Sequence, residues 1–105
     1  MPRPDGIDVH AHFFPESFLR LIELEGTPYG GRIDQTPRGP VITVDGVAGA
    51  GTPLDPTYWD VDLRIRAMNR QDVQVHALSL TVPMTYWAAP ELGARLARAF
   101  NDALV

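Results

Sequence analysis

The chain has 105 residues, a length that ordinarily makes one small domain. Leu, Ile, Val and Phe supply 28 of them, 27%, which is above the roughly 20% below which chains tend to stay disordered. A net charge of −4 gives no general basic footprint for nucleic acid or an anionic membrane. The absence of cysteine excludes disulfide scaffolds and thiolate metal sites, so any metal must take His and carboxylate ligands. No apolar run approaches the roughly 18 residues of a membrane span, and MPRPDGID lacks the apolar segment of a secretory signal. A cytoplasmic protein is the default expectation.

In chain order, Gly6 to Phe14 reads as a strand. Ile7, Val9, Ala11 and Phe13 alternate with Asp8, His10 and His12, and Pro15 ends the run. Glu16 to Glu25 reads as a short helix with Phe18, Leu21 and Ile22 on one face, stopped by Gly26. Gly and Pro are together 18% of the chain, and most lie between Gly26 and Pro56. Residues 27–56 therefore read as an elaborated loop, in which Val41 to Asp45 followed by Gly46 suggests one side of a small hairpin.

Thr57 to Arg70 is predicted helical, with Thr57 and Asp60 spaced as in a capping box. Val61, Ile65 and Met68 would form its apolar stripe, although Val61 to Arg66 also alternates like a strand. Val73 to Val82 reads as a strand buried on both faces, as in a parallel sheet. Pro90 to Val105 is the clearest helix, with Leu92, Leu96, Ala99, Phe100 and Ala103 on the buried stripe and Arg95, Arg98 and Asp102 on the wet face. Strands alternating with helices argue for βα units and a parallel sheet. Two strands cannot close such a sheet, so the chain reads as the opening of a larger α/β domain.

His10 and His12 are the sharpest chemical signal. Two residues apart on a regular strand they share a face, about 7 Å apart at Cα, and two imidazoles side by side can bind one metal ion. Asp8 would stand on the same face, one step back, with Ile7, Val9, Ala11 and Phe13 on the other. On spacing alone, two histidines on an exposed strand explain the pattern as well. His76 reads as a structural histidine rather than a third ligand. Trp59 and Trp87 read as packing aromatics, and Arg64, Arg66 and Arg70 as a solvated helix face. Met84 and Tyr86 follow the second predicted strand and are candidates to border a pocket. No phosphate loop or nucleophile elbow is present.

The segment IDVHAHFFPESF resembles the opening of the amidohydrolase superfamily, where the first strand ends in a His-x-His metal pair. Further matches are Trp59-Asp60 followed by Arg64-Ile65-x-x-Met68, the apolar strand ending in Val82-Pro83-Met84, and the last helix with Asn101-Asp102. These resemble the amidohydrolase-2 branch, which includes the aminocarboxymuconate semialdehyde decarboxylases as well as hydrolases. The resemblance implies the N-terminal βα units of a (β/α)8 TIM barrel, residues 1–105 forming part of one domain of about 250 residues. It implies a divalent metal, zinc in most members, with His10 and His12 as the first two ligands and Asp8 supporting them. The remaining ligands and the catalytic groups would lie beyond Val105.

At the position of Thr52 the aminocarboxymuconate semialdehyde decarboxylases carry an arginine that clamps a substrate carboxylate. A hydroxyl cannot replace that bidentate, charge-assisted contact, so Thr52 marks a departure in the substrate site. The function expected is a metal-dependent, non-oxidative decarboxylase of a small carboxylate. The alternatives are a metal-dependent amide or lactone hydrolase, or a fragment that only binds. The expected partner is a small-molecule substrate, without nucleic acid or membrane, and with homo-oligomerisation of the full-length form left open. The isolated 105 residues are expected to be inactive.

Overall fold

The computed structural model describes residues 6–47, 51 and 53–105. Thr52 therefore lies outside the described residues. The chain folds as α/β in the order β1 (Ile7–His12), α1 (Glu16–Glu25), β2 (Gly31–Thr36), β3 (Gly39–Val44), α2 (Val61–Gln71), β4 (Val75–Ser79) and α3 (Pro90–Ala103). Short 3-10 turns at Thr27–Tyr29 and Pro56–Tyr58 precede β2 and α2.

Two separate two-stranded sheets form: β1 with β4 in parallel, and β2 with β3 as an antiparallel hairpin. The glycine-rich stretch is thus a built element. Its turn is Pro37-Arg38, closed by the Thr36 hydroxyl donating to Gly39 O at 2.8 Å, and Gly39 takes φ +116°, a region that favours glycine. The sequence pattern shows β3 but hides β2, because GRIDQT has only one aliphatic side chain on a strand that is otherwise largely exposed.

The core lies where α1, α3 and the hairpin meet. Phe14, Phe18, Ile22, Ile42, Val44, Leu92, Leu96 and Phe100 are all buried there. Phe18 and Ile22 are one turn apart on α1, and Leu92, Leu96 and Phe100 repeat every four residues on α3, so each helix presents one stripe to the other. Ala103 is exposed, since the stripe ends at Phe100. Outside the core, Arg95 holds Glu25 in a two-point pair at 2.6 and 2.5 Å, tying the end of α1 to α3. Trp87, which follows β4, lies flat over Gly31 at the root of the hairpin. A Cβ at Gly31 would stand 2.4 Å from the indole ring.

The structure departs from the predicted start and packing of α2. Its N-cap is Asp60, whose carboxylate accepts from Leu63 N–H at 3.2 Å. Thr57 belongs to the preceding turn and donates to Asp55. Val61 and Ile65 face outward and are exposed, whereas Arg64 is buried against the strands. The strand face beneath α2 carries Asp8 and His76, and a polar pair selects a polar partner over an aliphatic stripe.

Two stability predictions follow from these contacts. Gly31→Ala should destabilise the protein by about 1–3 kcal/mol, the range typical of overpacking. Trp87→Leu should relieve most of that cost in the double variant, as read by denaturant unfolding. Additive losses would show that the indole does not limit Gly31. Separately, the Arg95 hydrogen bond holds the Glu25 carboxyl below its ordinary value. Its contribution is therefore present above the unfolded carboxylate pKa and disappears as pH falls through the lowered folded value. Arg95→Gln should flatten the acid limb of a stability-versus-pH curve, and an unchanged limb would contradict the assignment.

Candidate metal centre

The site is built on β1. His12 closes the strand, and its backbone pairs in register with Ser79 at the end of β4. The His10 and His12 rings stand edge to face with centroids 4.8 Å apart. Both line a cleft of about 170 Å³ together with Asp8, Tyr58, Arg64 and His76.

The strand is not regular. Between Asp8 and Ala11, β1 takes three steps where β4, from His76 to Leu78, takes two. One residue of β1 is therefore extra, which makes a bulge and reverses the alternation beyond it. Register partners share a face, and His76 and Leu78 share one by the two-residue period. Asp8 and Ala11 consequently share that face too, beneath α2. Ile7, Val9, His10 and His12 fall on the other, where Ile7 is 63% and Val9 78% exposed. This corrects the expected division: Asp8 does not share a face with the two histidines, and Ile7 and Val9 do not form an apolar face with Ala11. Asp8 still reaches the pair around the strand, its Oδ1 accepting from His10 N–H at 2.9 Å.

Arg64 is the residue that sequence reasoning misplaced. It is 7% exposed, not solvated. One terminal nitrogen donates to the His12 carbonyl. The other contacts His76 Nδ1 at 2.9 Å, and the guanidinium lies 5.6 Å from the Phe13 ring centre. Burial pushes the guanidinium below its ordinary value, opposed by Tyr58, Asp55 and Asp8. The available signal was its place in the Arg-Ile-x-x-Met motif.

His76 is a structural residue in this geometry. Arg64 has no acceptor, so His76 Nδ1 must accept and, in the neutral ring, the proton sits on Nε2. Nε2 is 3.9 Å from Asp8 Oδ2. The Ser79 hydroxyl stands 3.3 Å from His12 Nδ1, which leaves His12 Nε2 for another ligand. Tyr58 sits edge-on to His12, ring centres 6.2 Å apart.

Met84 and Tyr86 lie beyond β4. Met84 adopts φ +60°, and its carbonyl accepts from Trp87 Nε1 at 3.2 Å. Tyr86 is 86% exposed. Neither lines the cleft around the histidines.

The histidine pair fits part of a metal site. Two imidazoles bonded at about 2.0–2.1 Å to one tetrahedral ion hold their ring centres roughly 5 Å apart, close to the 4.8 Å seen here. Neutral imidazole nitrogen suits zinc and its neighbours. Among the described residues no group of three or more His, Asp or Glu side chains converges, whereas a catalytic zinc takes about three protein ligands.

No protein-family profile matches the chain. In structure it is similar to IDCase of Metarhizium anisopliae, solved in apo form, with a TM-score of 0.72 at 19% identity over 96% of this chain and 30% of that one. That likeness gives the fold alone: an α/β arrangement with a parallel β1–β4 pair. In sequence it resembles the 2-amino-3-carboxymuconate-6-semialdehyde decarboxylases. It is 36% identical to the Dictyostelium discoideum protein over 101 residues, 91% of this chain and 27% of the relative. It is 38% identical to the Caenorhabditis elegans protein over 102 residues, 94% of this chain and 25% of the relative. The chain thus spans about a quarter of the length of these curated relatives.

The tautomer of His76 is open to direct measurement. Long-range ¹H–¹⁵N spectra of the neutral ring should show the proton on Nε2. A proton on Nδ1 would mean that Arg64 does not donate to it.

Proposed function

We propose that this chain contributes the first βα units of a (β/α)8 barrel to a metal-dependent, non-oxidative decarboxylase of a small carboxylate. The observation that carries the reading is the His10–His12 pair, standing edge to face at the C-terminal end of the first strand. Catalytic groups in such barrels gather at that end of the strands. The similarity to decarboxylases over nine-tenths of the chain supports the choice of reaction.

In this reading His10 and His12 hold a divalent ion, with zinc among the metals that imidazole ligands suit. Such an ion supplies a Lewis acid that polarises substrate oxygens and lowers the pKa of bound water toward about 7. The chain's own residues orient the pair. Asp8 holds the His10 backbone N–H, and Ser79 engages His12 Nδ1, the ring nitrogen away from the metal. Tyr58 forms an aromatic wall beside His12. Thr52 is assigned to the substrate side, whereas Met84 and Tyr86 stand outside the cleft that the histidines line. A hydroxyl at Thr52, in place of a clamping arginine, points to a substrate with a differently placed carboxylate than that of the muconate semialdehyde enzymes.

In the full-length protein, His10→Ala and His12→Ala should each reduce bound zinc to a small fraction of one equivalent by elemental analysis and abolish release of carbon dioxide. One imidazole fewer leaves too few ligands to fix the ion. Full zinc occupancy in either variant would overturn the ligand assignment. Occupancy lost without any decarboxylation in the wild type would leave a metal site and overturn the reaction.

A further inference from the structure

We propose that Arg64 is a positioning residue for the metal-binding pair: it links the C-terminal end of β1, at His12, to His76 near the start of β4 and so sets the separation and aim of the His10 and His12 rings. The inference rests on the metal-centre reading above and goes beyond it, because Arg64 is on a different element and is not itself a ligand.

The argument starts from the bulge. An extra residue in β1 breaks ladder pairing between Asp8 and Ala11, and His10 sits within that interval. A broken ladder leaves the backbone direction near the ligand pair underdetermined. Pairing resumes at Ala11 and His12, immediately before the strand ends. The carbonyl of His12 is taken by Arg64 from α2. The same guanidinium engages His76 of β4 through its second terminal nitrogen. His76 is the register partner of Asp8, and Asp8 in turn accepts from the His10 backbone. One side chain thus holds His12 directly and His76, the register partner of the Asp8 that accepts from His10.

The geometry of the fork matters. A guanidinium presents its donors in a fixed plane and can serve two acceptors at once, whereas an ammonium is a point donor on a flexible stem. The guanidinium carbon stands over the ring of Phe13, the residue after His12, 5.6 Å from its centre. A buried guanidinium is expensive to desolvate. Its burial is understandable where it links two strands, and there is no partner carboxylate in hydrogen-bond contact with it among the described residues.

The test compares wild type, Arg64→Lys, Arg64→Met and His12→Ala in the protein. Cobalt(II) absorption spectra read the ligand field, and zinc affinity is read by chelator competition. Arg64→Lys keeps the charge and much of the stem, and should remain folded by circular dichroism. Its zinc affinity should fall about 10–100-fold, the usual cost of losing a residue that orients a ligand. Its cobalt bands should shift, a signature that mere loss of stability does not produce. If Arg64→Met fails to fold, Arg64→Lys still decides the matter. Wild-type affinity and an unshifted spectrum in Arg64→Lys, with metal lost in His12→Ala, would overturn the role of Arg64 and leave the metal centre standing. Unaltered metal binding in His12→Ala would overturn the metal centre, and this inference with it.

Discussion

Parallel hydrogen bonding between β1 and β4 is the constraint on which the rest depends. Parallel neighbours cannot be joined by a tight turn, so the chain between them must return to the starting end of the sheet. Residues 13–74 make that return, and everything from α1 to α2 is part of the crossing. The route is long enough to carry a hairpin and a helix that pack together with α3 into a core of their own. The parallel pair is left with one face under α2 and the other open. This explains why a chain with a radius of gyration of 15.0 Å is less compact than the roughly 13 Å usual for about 100 residues.

The open face carries the histidine pair. His10, His12 and Ser79 lie there beside Ile7, Val9 and Val75, all substantially exposed except His12. Polar and aliphatic side chains sharing one surface fit the barrel wall proposed above, whose lower layers are aliphatic and whose mouth is polar. The bulge reconciles the two requirements. It turns Asp8 under α2, where Arg64 and His76 meet it, and keeps both histidines on the open side.

Much of the fold was legible because periodicity reports burial. Leu92, Leu96 and Phe100 mark α3, and Phe18 and Ile22 mark α1; VHALS marks β4, but the strand spans only Val75–Ser79 and is not buried on both faces, since Val75, Ala77 and Ser79 are exposed. The histidine pair was legible as a pair. What could not be read was the bulge: an inserted residue changes which side chains share a face without changing the sequence pattern. The partner strand β2 was hidden by its largely exposed, polar composition. Arg64 was misread since periodicity assigns a charged residue to solvent by default, and only the neighbouring strands show two acceptors waiting for one fork.

The contact between Gly31 and Trp87 divides the hairpin into two regions with different freedom. At its root, Gly31 lies against an indole from the far side of β4 and has no room for a side chain. At its tip, Pro37 and Arg38 form an exposed two-residue turn, and among the described residues the only side-chain hydrogen bonds there are made by Thr36. The two ends therefore differ as engineering sites. The tip offers a place to lengthen the loop, graft an epitope or attach a fluorophore, because exposed loop tips accept such changes. The root, by contrast, transmits any added bulk through Trp87 into the segment that follows β4.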